Sequence, residues 1–185
     1  MRKKLRARDM MVWAVMAALT VFVNLLGVYT VQFYGGSAMV IITGIGLGPR
    51  SGIIVGALAR LVCNFFTGQG PWTIWQMCTW ALIGGISGII WNHREKLNIW
   101  ILSIYSFVII FILYGGVMNM AALFMAHAIS PTQTPLNWQT MLATYVTGVP
   151  YDLIHAAGCG ICVFIFGEGL TARLVRIKKK YRLSC

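Results

Sequence analysis

The chain has 185 residues, of which 58% are hydrophobic and only 10% are charged, and its formal net charge is +11 at pH 7. With a mean hydropathy of +0.76, this composition does not suit a single water-soluble core with a polar surface. The distribution of Lys and Arg argues against nucleic-acid binding, because they cluster at the chain ends and between apolar runs instead of covering one face. The sequence therefore predicts a polytopic membrane protein.

Six apolar segments follow one another along the chain, and each is predicted to be a membrane-spanning helix. Spanning the hydrocarbon takes about 20 apolar residues, and fewer when neighbouring helices shield a short segment. The segments cover residues 10–28, 35–48, 51–66, 73–91, 99–127 and 139–170. We therefore predict an all-α integral membrane fold of six helices in one domain, 1–185. A basic N-terminus, 1–9, and a C-terminal tail, 171–185, flank the helices.

The first segment also has the basic and apolar regions of a signal peptide, MRKKLRARD followed by MMVWAVMAALTVFV. We interpret it as a retained first membrane helix. Fourteen of the 15 Lys and Arg residues lie on one side of the predicted arrangement, before the first helix, in alternate gaps and after the sixth. The other three gaps contain no charged residue: 29–34, 67–72 and 128–138. The positive-inside rule then places both termini in the cytoplasm.

Two full charges, Arg60 and Asp152, lie inside predicted membrane helices. A charge at membrane depth is costly unless it is paired or hydrated. Both residues come out near the middle of the membrane at a helical rise of about 1.5 Å per residue, so the two can pair. The sequence leaves open whether they fix the third helix against the sixth or face a ligand.

Uncharged polar and aromatic side chains concentrate in the predicted outer half. Some of the Trp and Tyr residues are explained as an interfacial belt, but amides at membrane depth need partners and can line a cavity. Asn24, Asn137 and Trp138 belong to this outer group. The candidate substrate-binding residues are Tyr29, Gln32, Tyr34, Arg60, Asn64, Gln69, Trp72, Trp75, Gln76, Tyr114, Asn119, Tyr145, Asp152 and His155. Aromatic walls with scattered amides suit a bulky, mainly neutral ligand.

No recognised catalytic motif occurs, so we predict no enzymatic activity and no catalytic residues. The sequence has no Gly-x-Ser-x-Gly, no HExxH and no GxxxxGK[ST] phosphate loop, and the chain is therefore not expected to hydrolyse ATP. The five cysteines lack metal or disulfide spacing, and no metal or cofactor of its own is predicted. Asp152 and His155 share a helix face, which favours a hydrogen-bonded cluster over a metal site. A small membrane enzyme using these two as acid and base, or a scaffold or channel-like protein, remains as an alternative.

Small residues recur at four-residue spacing in several segments, which allows helix backbones to approach closely. Such a ridge packs either inside the protein or against a partner's helix, and the sequence does not distinguish the two. The pairs are Ala14 with Ala18, Gly52 with Gly56, Gly84 with Gly88, and Ala156 with Gly160.

The chain resembles the substrate-binding S components of energy-coupling factor (ECF) vitamin transporters. The resemblance covers the whole chain and depends on the six short spans, the Ala14-x-x-x-Ala18 ridge and the loop Gly-Pro-Trp-Thr-x-Trp-Gln-Met at 70–77. Two further stretches add to it: LGPRSGIIVGALA, 47–59, and GVPYDLIHA, 148–156. It implies a protein of the bacterial plasma membrane that captures a vitamin on the outer face, without transporting it alone.

Partners and ligand follow from the same resemblance. It implies association with a scaffold membrane subunit through Ala14 and Ala18, and with two ATPase subunits that use ATP to drive uptake. The loops between helices one and two and between helices three and four are implied to gate the bound vitamin, which gives the uncharged stretch FFTGQGPWTIWQM, 65–77, the role of a lid. Because the outer half is rich in amides and has no basic residue beyond Arg60, cobalamin is the expected ligand. The alternatives are another water-soluble vitamin or a queuosine-type precursor.

Overall fold

The computed structural model describes residues 6–29, 34–92 and 98–183, and these residues form helices and connections without a strand. The helices are α1 Ala7–Leu26, α2 Gly36–Leu47, α3 Pro49–Thr67, α4 Trp72–Trp91, α5 Ile99–Ile129 and α6 Trp138–Lys180. A short 3₁₀ turn, Gly27–Tyr29, follows α1. All except α2 are long and apolar enough to cross a membrane. The predicted all-α class is confirmed for the described residues, which contain five spanning candidates and one shorter apolar helix; the count of six spans stays a prediction.

The short helix α2 lies inside the bundle, and all 12 of its residues are buried. At about 1.5 Å per residue it measures about 18 Å, well below the roughly 30 Å of the hydrocarbon core. A helix that is apolar on every side is expected in the interior. Since neighbouring helices surround α2, its ends need not reach the membrane surfaces.

The turn from α2 to α3 depends on one glycine. Gly48 has a φ of 113° and directly precedes Pro49, the first residue of α3. A residue with a β-carbon is strained at this φ, whereas glycine is not. Proline suits the first helical position because its missing N–H has no helical partner there. Two residues thus reverse the chain and place α3 beside α2.

Glycines bring α2, α3 and α4 into backbone contact. A β-carbon on Gly52 would lie 2.3 Å from the carbonyl oxygen of Gly84, and one on Gly44 would lie 2.2 Å from the same oxygen. These distances are shorter than any real contact, and the obstacle is backbone that no rotamer change can move. The Gly52 and Gly84 ridges are therefore internal packing.

The other two small-residue ridges differ from each other. Ala156 is fully buried, and Gly160 packs on α5, where the hydroxyl of Ser103 donates to its carbonyl at 2.8 Å. Ala14 and Ala18, in contrast, are exposed on α1. The α1 ridge is thus free to contact something outside the chain.

Two helices continue beyond their predicted ends. α5 extends to Ile129 and contains a π-helical stretch, Ile110–Gly115, that hydropathy did not predict. α6 was predicted to end at residue 170 but continues to Lys180, so much of the predicted tail is helical. Lys and Arg are good helix formers, and cations favour the C-terminal end of a helix dipole.

Basic residues gather at one end of the bundle. The Lys178 ammonium donates to Asn92 at 3.3 Å, and Asn92 donates to the carbonyl of Ile45 at 2.7 Å, which joins the last turns of α6, α4 and α2. At the same end the Arg50 guanidinium lies 5.7 Å from the ring centroid of Trp13. This is the end that the positive-inside rule assigns to the cytoplasm.

Candidate functional site

A cavity of about 270 Å³ lies in the half of the bundle away from the basic end. It is bounded by the C-terminal parts of α1 and α3, the N-terminal part of α4, and the middle of α5 and α6. One lining residue, Tyr34, lies two positions before the first residue of α2. The lining residues are Asn24, Tyr34, Arg60, Gln76, Trp80, Tyr114, Met118, Tyr151, Asp152 and His155. Five helices and the segment before α2 thus contribute to one polar and aromatic enclosure.

Arg60 enters the cavity from α3, half-buried, and is held by two groups of α4. Its Nε donates to the Gln76 Oε1 at 2.9 Å, and its Cζ lies 5.3 Å from the ring centroid of Trp80. The possible pair with Asp152 is not formed: these two described residues line the same cavity without an ion pair between them. The guanidinium therefore keeps most of its donors available.

Asp152 has its own partner on α5. The amide of Asn119 donates to the Asp152 Oδ2 at 2.7 Å, and the carboxylate lies so close to Gly115 that a β-carbon there would be 2.7 Å from it. Nearby, the Tyr145 hydroxyl donates to the carbonyl of Gly116 at 2.8 Å. Asn119 and Tyr145 thus join α5 to α6 beside the π-helical stretch and are not cavity-lining residues.

His155 is buried among groups from three elements. Its Nε2 lies 2.9 Å from the Ser37 Oγ, and the rings of Tyr34 and Tyr114 meet it edge-on at 5.9 and 4.6 Å. His155 and Asp152 thus have separate hydrogen-bond partners, Ser37 and Asn119. Within the described ranges, no three His, Cys, Asp or Glu side chains are grouped as metal ligands would be.

The connection between α3 and α4 is held by a small hydrogen-bond network. Asn64 donates to the Thr73 hydroxyl at 3.0 Å and to the Gln76 Oε1 at 2.9 Å, and the Thr73 hydroxyl donates to the Gln69 Oε1 at 2.9 Å. The backbone N–H of Gly70 also reaches the Thr73 hydroxyl, at 3.3 Å. Asn64 and Gln69 therefore hold the connection in place instead of lining the cavity. Through Gln76 the same network reaches Arg60.

The aromatic side chains of this connection lie away from the cavity. Phe65 and Phe66 are 71% and 69% exposed, and the ring of Trp75 stacks on Phe124 at 6.2 Å. Trp72 is partly exposed and covers Gly70. In this arrangement Trp72 and Trp75 do not contact the cavity, and their exposure is what an interfacial belt requires.

Six of the predicted site residues line the cavity: Tyr34, Arg60, Gln76, Tyr114, Asp152 and His155. Tyr29 ends the 3₁₀ turn after α1, with its side chain outside the described structure, and Gln32 lies outside the described residues. Sequence reasoning missed Trp80, Met118 and Tyr151, and it left Asn24 out of the site. Trp80 follows Gln76 by four residues on the same helix face, a spacing that could have revealed it.

Comparison with known families gives one assignment. The model of the family described as the ECF transporter substrate-specific component matches residues 8–167. The matched range contains every cavity-lining residue. No curated protein and no solved structure matches the chain.

Proposed function

The chain belongs to the family of ECF transporter substrate-specific components, and from that premise we propose that its cavity captures a vitamin-class small molecule for uptake. The observation that carries this proposal is the convergence of polar and aromatic side chains from five helices on one cavity within membrane helices. Polar and ionisable groups at membrane depth are costly and mark substrate pathways. A binding component needs such a site and needs no catalytic pair.

The chemistry of the lining limits the ligand. Tyr34, Tyr114 and Tyr151 offer aromatic surface, which stacks on flat ligand groups, while Arg60 and Asp152 supply a donor-rich and an acceptor group. Sites of this kind bind small molecules through apolar contact and orient them through a few polar groups. The ligand is therefore expected to combine a planar or apolar part with polar groups at its edge.

Cobalamin is retained as one candidate, since the amide-rich outer half favours it. A cavity of about 270 Å³ is slightly smaller than most ligand-binding pockets, which run from about 300 to 1,000 Å³. A corrin ring with its side chains is several times larger, so the cavity would have to expand to admit it. A smaller water-soluble vitamin or a queuosine-type precursor needs no such rearrangement.

We propose that transport requires partners, a scaffold membrane subunit and two ATPase subunits that use ATP. Two features support this: the sequence has no phosphate-binding loop of its own, and the exposed Ala14 and Ala18 offer a smooth helix surface for a neighbouring helix. The proposed location is the bacterial plasma membrane, with the basic end of the bundle in the cytoplasm.

Binding by the purified chain tests the proposal. The protein in nanodiscs, without ATP, is titrated with cobalamin, riboflavin, thiamine, pantothenate, biotin and nicotinate, and binding is followed by Trp fluorescence and by thermal stabilisation. At least one ligand is expected to bind, and Tyr151→Ala should weaken its binding. Tyr181→Ala is the matched control, since that Tyr is similarly exposed but lies at the end of α6. Absence of binding across the panel, or equal effects of the two variants, would contradict the proposal.

A further inference from the structure

Buried hydrogen-bonding groups without partners surround the Arg60 part of the cavity. Asn24 is only 1% exposed, and its amide nitrogen and oxygen have no strong hydrogen-bond partner. The group beside the amide is the Cys63 thiol, which is a weak hydrogen-bonding group. The Nε1 of Trp80, also 1% exposed, has none either. Leaving such groups unpaired in a protein interior costs free energy, so each unpaired group requires an explanation.

The positive charge of Arg60 also lacks a direct counter-ion. Its Nε is used on an uncharged amide, Gln76, which leaves four other N–H donors of the guanidinium. Asp152 is engaged by Asn119 on the α5–α6 side of the cavity. Of the other acids that the structure describes, Asp9 lies in the first turn of α1, and Glu168 lies about 20 Å along α6 from His155. An embedded cation without a close partner is unfavourable.

We propose that the ligand supplies the missing group as a carboxylate bound to Arg60, with Asn24 and Trp80 as further hydrogen-bond donors. This inference rests on the proposed function and names the ligand class of the same cavity. A carboxylate offers two oxygens in the geometry that a guanidinium fork matches, and it accepts hydrogen bonds without donating any. The cavity thus selects a small vitamin-like acid.

A carboxylate fits this cavity better than a phosphate does. A phosphate monoester carries about −1.5 to −2 charges near pH 7, and one guanidinium compensates only one of them. The second charge would also meet Asp152, which lines the same cavity. On the Asp152 side the carboxylate oxygens are acceptors, so the part of the ligand that lies there donates a hydrogen bond. The selected molecule therefore combines one carboxylate with an N–H or O–H group.

Matched acid and neutral probes test the inference on the unmodified protein. The pairs are pantothenate with pantothenol and biotin with biotinamide, each titrated against the chain in nanodiscs with Trp fluorescence as the readout. At least one acid should bind, and its neutral counterpart should bind on the order of tenfold to a hundredfold more weakly, the range expected for hydrogen bonds to a charged group. Equal affinity within the pair that binds would overturn the inference.

Two substitutions locate the preference in the cavity. Arg60→Gln should abolish the difference between acid and neutral probe, and Trp80→Phe, which keeps an aromatic ring but removes Nε1, should reduce it. Arg50→Gln is the matched control, because Arg50 also lies over a Trp ring but at the basic end. If Arg60→Gln does not fold, the comparison of acid and neutral probes in Trp80→Phe and Arg50→Gln still decides whether the preference for the acid arises in the cavity. A preference that Trp80→Phe leaves unchanged, or that Arg50→Gln lowers equally, would overturn the assignment.

The outcome also separates this inference from the proposed function. If cobalamin, riboflavin or thiamine binds while no acid does, the cavity captures a vitamin but Arg60 does not select a carboxylate, and only the inference fails. If no compound in either panel binds, both fail.

Discussion

Replacing Thr73 by Val removes one hydroxyl group from the network that holds the α3–α4 connection. Val keeps the β-branched shape of Thr, so the backbone preference of the first turn of α4 changes little. The hydroxyl donates to Gln69 at 2.9 Å and accepts from Asn64 at 3.0 Å and from the N–H of Gly70 at 3.3 Å. We expect the connection to open locally more often while the bundle stays folded.

The magnitude follows from how well the orphaned partners are solvated. Gln69 is exposed and recovers a hydrogen bond from water, and Asn64 keeps its bond to Gln76 at 2.9 Å. Only the N–H of Gly70 loses its one printed acceptor, and Gly70 is partly exposed to water. The two shorter bonds therefore count at the ordinary net value of about 0.5–1.5 kcal/mol each. The free energy of local opening should therefore fall by about 1–3 kcal/mol, which raises the open population about 5- to 150-fold.

Hydrogen–deuterium exchange in nanodiscs measures this change without a ligand. Amides of residues 68–73 should exchange faster in Thr73→Val by the same factor, because exchange of a protected amide follows its opening equilibrium. Thr147→Val is the control, since that hydroxyl is exposed and bonds only to carbonyls of its own helix. Unchanged exchange at 68–73, or an equal acceleration there in the control, would refute the reasoning.

Three further experiments have expected outcomes. Gly52→Ala places a β-carbon 2.3 Å from a backbone oxygen of α4 and should lower the free energy of unfolding by about 1–3 kcal/mol, seen as a lower melting temperature. The control Gly169→Ala, with open space around its β-carbon, should melt no lower than the parent. An equal loss in both variants would contradict the packing argument. Ala18→Trp should leave ligand binding by the isolated chain intact but prevent co-purification with the transporter's other subunits; loss of binding as well would show that the ridge packs internally. The losses of stability caused by Arg60→Gln and Asp152→Asn should add almost fully in the double variant, with a coupling energy below about 1 kcal/mol in melting experiments. A coupling energy near the cost of breaking a buried ion pair, about 3–5 kcal/mol, would show that the two charges interact directly.

Hydropathy predicted where the helices lie because a chain in lipid has few other ways to satisfy its backbone groups. It did not predict their ends or irregularities. The C-terminal end of α6 lies in a basic stretch up to Lys180, where helix propensity replaces apolar character. The π-helical stretch IFILYG, Ile110–Gly115, is as apolar as its surroundings, so nothing in the composition marks it.

The candidate site was harder to predict, for a definite reason. Polar groups at membrane depth need partners, but the sequence does not say whether the partner is a ligand or another helix. Asn119 and Tyr145 were assigned to the ligand, and their partners are Asp152 and the carbonyl of Gly116. Trp80 was missed for the opposite reason, since an indole within an apolar run suggests packing, although it lies under the Arg60 guanidinium.

The glycine contacts distinguish two parts of the bundle, one in which helix backbones touch and one in which side chains separate them. Around Gly44, Gly52 and Gly84 the helices touch backbone to backbone, and no side chain can yield there. Across the cavity, α5 meets α6 through side-chain tips, as where Gly148 faces the amide of Asn119. We therefore expect α2, α3 and α4 to keep their relative positions, and α5 and α6 to move more easily. Expansion of the cavity to admit a molecule should displace α5 and α6, while the wall that carries Arg60 stays fixed.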